Sequence, residues 1–84
     1  MNIIERTEWA KEFKRENPHQ YETALKLVTD PNLTVDVYQS DETGSLLWVA
    51  EALIDGNPTC FWLFGNTSKQ KVNNVCKKMR WEVV

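Results

Sequence analysis

Apolar positions recur every three to four residues at both ends of this chain and every second residue through its middle. Helical regions should therefore bracket a sheet. Trp9, Ala10 and Phe13 share one helical face behind Thr7, which predicts a first helix with Thr7 as its N-cap. Asn17-Pro18-His19-Gln20 then reads as a fresh start. Asn17 would cap, Pro18 would take the first helical position, and Gln20 would reach back as in a capping box. Tyr21, Ala24, Leu25 and Val28 continue that helix, and Pro31 should stop it, because proline disfavours helix at the residue before it.

From Leu33 the rhythm changes to two. Leu33, Val35 and Val37 alternate with Thr34, Asp36 and Tyr38, the pattern of a half-buried strand. Asp41-Glu42-Thr43-Gly44 reads as a turn, Ser45 to Ile54 as a second strand and Thr59 to Phe64 as a third. Asp55-Gly56-Asn57-Pro58 joins the last two, with Pro58 expected in the turn or at the strand's first residue, since it cannot donate to a ladder. Val72, Val75, Cys76 and Met79 then mark a helix over 69–79, capped by Ser68 or Thr67, and residues 80–84 alternate as a short edge strand would. The order gives one α+β domain over 1–84. N-terminal helices, a three-stranded antiparallel sheet, a C-terminal helix and an edge strand form two layers.

The second and third strands are apolar on both sides. Leu46, Trp48, Ala50, Ala52 and Ile54 share one face and Leu47, Val49 and Leu53 the other with Glu51; Phe61 and Leu63 oppose Cys60, Trp62 and Phe64. One face belongs to the C-terminal helix. The other is either covered by the N-terminal helices or left as an apolar patch around Leu47, Trp62 and Phe64 that docks a partner or a second copy.

Charge sharpens this picture. Residues 1–26 carry five acidic and five basic side chains, and no Lys or Arg occurs from Leu27 to Ser68. Asp30, Asp36, Asp41, Glu42, Glu51 and Asp55 give that middle stretch −6, and the residues from Lys69 onward sum to +4. An acidic middle steers a basic partner toward the sheet.

Candidate chemistry is sparse. Cys60 and Cys76 sit among apolar neighbours and read as reduced, buried thiols, and with the single His19 they do not make up a zinc site, so neither metal nor cofactor is expected. His19 lies at a helix start, the glycines form no phosphate loop, and no Ser or Cys has a nucleophile's context, so the chain reads as no enzyme. Asp36, Glu51 and Asp55 are the only carboxylates that could converge as a pair, and Asp55 belongs to a turn. The N-terminus has neither a secretory nor a membrane-spanning pattern, so the expected location is cytoplasmic and no membrane partner is expected.

Residues 53–79, "LIDGNPTCFWLFGNTSKQKVNNVCKKM", resemble the C-terminal half of a double-stranded RNA-binding domain. There a strand pair leads through a glycine-containing turn into a lysine-rich helix start. The resemblance implies phosphate contacts from Ser68, Lys69 and Lys71, with Gln70 where a second lysine is usual, and Lys78 further along the helix would add to them. The first-to-second strand loop, Asp41-Glu42, carries the sign that repels a polyanion. The leading expectation is therefore a non-catalytic binding or regulatory module, inhibitor- or adaptor-like, of the kind phages and mobile elements encode. It would contact a basic protein, or a second copy of itself, through Leu47, Trp62 and Phe64, rimmed by Asp41, Glu42 and Glu51. Nucleic-acid binding by the last helix is the alternative.

Overall fold

The computed structural model describes residues 3–41 and 46–84, and it has the expected α+β order. A short 3-10 turn, Ile3–Arg6, leads into α1 (Glu8–Glu16). Thr7 caps that helix: its hydroxyl accepts from the Ala10 N–H at 3.2 Å and donates to the Ile4 carbonyl. The capping box at Asn17 does not form. The Asn17 N–H closes α1 on the Phe13 carbonyl at 2.7 Å, leaving no residue to spare between the helices. A tight 3-10 turn, Pro18–Gln20, bridges them instead, and α2 (Tyr21–Val28) starts at Tyr21.

The sheet consists of β1 (Leu33–Ser40), β2 (Leu47–Ile54) and β3 (Asn57–Asn66), paired antiparallel in that order. Asp55 at φ 53° and Gly56 at φ 78° alone make the second hairpin turn, between the partners Ile54 and Asn57. Two successive positive φ values suit the right-handed twist of the strands they join. Asn57 and Pro58 thus belong to β3, where Pro58 is the second residue and faces Leu53, a correction to its placement in the turn or at the strand's start. β2 begins at Leu47; Leu46 has left the strand, with φ 44°, and is exposed. Ser45 and the turn expected at Glu42-Thr43-Gly44 lie outside the described residues.

β3 is irregular at two places, and this decides which side chains face where. Ala50 pairs with Phe64 but Glu51 pairs with Trp62, so Leu63 is an extra residue. Such a bulge breaks the two-residue alternation. Trp62 consequently faces with Glu51, and Phe64 with Ala50. A second irregularity lies between Glu51 and Leu53, around Cys60, whose φ is 60°. There the Thr59 hydroxyl donates to the Ala52 carbonyl at 2.6 Å and accepts from the Phe61 N–H, replacing ladder bonds the bulge removes.

All three helices pack on one face of this sheet. Val35, Ala50 and Ala52 share that face by register, and they form a single buried cluster with Trp9 and Phe13 of α1, Ala24 and Val28 of α2, and Val72 and Cys76 of α3 (Lys69–Met79). Alanines at the centre of β2 let the helices come close, while aromatic side chains from the helices fill the space. The Ser68 hydroxyl caps α3 by accepting from the Lys71 N–H. At its other end the Trp81 N–H reaches the Cys76 carbonyl at 2.9 Å and the Arg80 N–H the Lys77 carbonyl at 3.1 Å. This is a Schellman motif with arginine, φ 58°, in the left-handed position where glycine is usual. The reversal turns Trp81 back into the core, edge-on to Trp9 at 5.2 Å. The edge strand expected at 80–84 is reduced to one parallel bridge, Val83 beside Val35, on the outer side of β1.

Candidate functional site

Among the described residues no helix lies on the second sheet face. Covering of that face by the N-terminal helices, one of the two expectations, is therefore overturned: their apolar stripes are spent on the same side as α3. The open face carries Asp36 and Tyr38 on β1, Leu47, Val49, Glu51 and Leu53 on β2, and Trp62 on β3.

The face covers itself. The Trp62 Nε1–H donates to the Tyr38 hydroxyl at 3.2 Å, and that hydroxyl donates to Glu51 Oε1 at 2.7 Å. Because β2 lies between the strands carrying Tyr38 and Trp62, the two rings must lean over it to meet. They roof Val49, which is 0% exposed, and Glu51, which is 8% exposed. The second carboxylate oxygen of Glu51 accepts from the Cys60 N–H at 3.4 Å. A buried carboxylate needs such donors, since taking the ion out of water without them costs more than burying an unpaired neutral polar group. The left-handed turn at Cys60 supplies one of them.

Glu51 is consequently at the centre of the face, under the rings, and not at its rim as expected from sequence. Asp36 is its direct cross-strand partner. Two like charges opposite one another destabilise a strand pair. The sheet from Leu33 to Asn66, with its loops, contains no lysine or arginine to neutralise them. Asp55, the third carboxylate weighed for a catalytic pair, sits away from both in the hairpin turn. Asp41 is exposed next to the end of β1, and Glu42 lies outside the described residues.

The expected patch divides accordingly. Leu47 and Trp62 are half-buried on the open face, but the bulge turns Phe64 to the helix side, where it packs against the core. Tyr38 and Val49 were missed. Their signal was present in the alternation of β1, which places Tyr38 on the side of Asp36, and in β2, which places Val49 beside Glu51.

The residues of the alternative site lie at the start of α3 and along it. Ser68 is committed to capping α3, and the Lys69 ammonium lies 4.9 Å from the Trp48 ring on the helix face. Lys71 and Lys78 are exposed, and Lys78 borders a groove between α1 and α3 with Glu8 and Glu12. Of the thiols, Cys76 is buried, and burial pushes its ionisation up; Cys60 is exposed, which corrects its expected burial. No group of three or more His, Cys, Asp or Glu side chains is placed to hold a metal among the described residues. No described helix is long and apolar enough to cross a membrane.

No family model matches this chain, and neither curated proteins nor solved structures give a match.

Proposed function

We propose that the chain is a non-catalytic, cytoplasmic binding module that takes a basic protein partner on its open sheet face. The observation carrying this reading is the Asp36–Glu51 pair, two carboxylates side by side on a face whose strands hold no cation. A partner's lysine or arginine brought there relieves the repulsion, and the faces of Trp62 and Tyr38 add cation–π attraction. Leu47 gives the apolar anchor beside them. Two copies meeting by these faces would set acid against acid, so charge favours a different protein over self-association.

Photo-crosslinking in cells tests the reading, with a photoreactive amino acid placed at Leu47 or, for comparison, at Lys71. Protein adducts are expected from position 47 and not from 71, and Trp62→Ala or Asp36→Asn should abolish them while the variant remains folded. Adducts from position 71 alone would overturn the reading. So would retention on heparin that is lost on Lys69→Glu with Lys71→Glu, which would favour nucleic-acid contact through α3.

A further inference from the structure

The two edges of the sheet differ. On the outer side of β1 the chain's last residues already lie in place: the Val35 N–H donates to the Glu82 carbonyl at 2.8 Å and the Val84 N–H to the Val35 carbonyl at 2.9 Å. β3 is the opposite edge, and no strand lies beside it among the described residues. Between β3 and α1 runs a groove of about 520 Å³, with Phe61 and Phe64 on its β3 side and Glu12 and Glu16 on its α1 side. On α1, Glu8, Glu12 and Glu16 succeed one another at four-residue spacing, a like-charge column that destabilises a helix; Lys11 and Arg15 follow Glu8 and Glu12 at three-residue spacing, and of these charges only Glu12 and Glu16 line the groove. None of these glutamates has an ion-pair partner among the described residues, and Glu12 also borders the adjoining groove of about 650 Å³ between α1 and α3. No lysine or arginine lines the β3 groove.

We infer that the β3 groove takes an extended segment of a partner protein as an added strand, with its lysines or arginines turned to the Glu12–Glu16 wall. Cys60, Phe61 and Leu63 already spend main-chain groups on Glu51, Thr59 and Trp9, and the remaining edge groups of β3 call for an extended occupant that can pair with them as a strand. The aromatic side chains at the groove take alternate apolar side chains of that segment. The acidic wall requires a basic occupant. A second copy's β3 does not qualify, because it holds no basic residue and would bring a second acidic wall with it. The groove shares Leu47 and Trp62 with the open face; the two readings differ in their acids, since Glu12 and Glu16 line the groove and Asp36 does not.

The test uses the whole chain, ¹⁵N-labelled, titrated with a decapeptide alternating lysine and valine and with its glutamate counterpart. The lysine peptide should shift the amides of Cys60 to Asn66, slow their hydrogen exchange, and bind at least about tenfold more weakly to Glu12→Gln/Glu16→Gln. Both glutamates are exposed, so the double variant keeps the fold. The glutamate peptide should not bind, and Lys71→Gln, exposed on α3 and outside both grooves, should leave lysine-peptide binding unchanged. Undiminished affinity in the double variant, shifts confined to the open face, no binding at about 1 mM peptide, or a dimer joined through β3 would each overturn the inference.

Discussion

The two faces of this sheet solve the same problem with opposite means. On the helix face the centres of β1 and β2 contribute small side chains, Val35, Ala50 and Ala52, and the bulk comes from Trp9, Phe13 and Trp81 outside the sheet and from Leu63 and Phe64 of β3. On the open face the strands contribute the bulk themselves, and Trp62 and Tyr38 lie over β2 in place of a helix. One face is closed by the chain that packs on it. The other is closed by a hydrogen-bonded pair of rings around a carboxylate. At the centre of β2 the alanines admit the helices on one side, and on the other Trp62 and Tyr38 roof the strand.

That contrast can be broken most strongly on the helix side. Leu63, 0% exposed and set there by the bulge, is expected to cost about 2–5 kcal/mol as Leu63→Ala. Urea unfolding measures it, and a loss similar to that of a surface substitution would show that the bulge does not anchor the core. The open face should respond less. Tyr38→Phe keeps the ring and removes the hydroxyl that both receives the Trp62 N–H and donates to Glu51, leaving a buried carboxylate with one donor fewer. The expected cost is about 1–3 kcal/mol, and an unchanged midpoint would mean that water replaces the hydroxyl at Glu51. The smallest effect has the opposite sign. Arg80→Gly relaxes the left-handed position that turns Trp81 into the core, and should stabilise the fold by up to about 1 kcal/mol. A loss of stability would show that the arginine side chain contributes more than its backbone conformation costs.

Local signals were legible where a few neighbouring residues decide the outcome. Thr7 and Ser68 cap their helices, and Asp55-Gly56 turns the second hairpin, because each acts on backbone groups two or three positions away. Asn17 misled, since the same residue could end one helix or begin the next, and the shortness of the connection settled it. The candidate face was half legible. Leu47 and Trp62 follow from alternation, but the extra residue at Leu63 moved Phe64 to the other side, and nothing adjacent in sequence announces it. What fixes that bulge is tertiary: Leu63 fills the core and its carbonyl accepts from the Trp9 indole at 2.7 Å, across 54 residues of chain. Which face the N-terminal helices would choose was equally non-local. The hint was the pair of alanines at positions 50 and 52.

The layering of charge has a consequence for symmetry. The sheet and its loops hold five acidic residues and no basic ones, while the rest of the chain holds all ten lysines and arginines against seven acids. Sheet against sheet sets −5 against −5, whereas sheet against helices sets −5 against +3. At low ionic strength and high concentration, head-to-tail contact is therefore expected to be favoured over face-to-face contact. A head-to-tail contact uses two different surfaces and leaves both exposed at the ends, so it adds further copies, into a ring or a filament, where a face-to-face contact would stop at a pair.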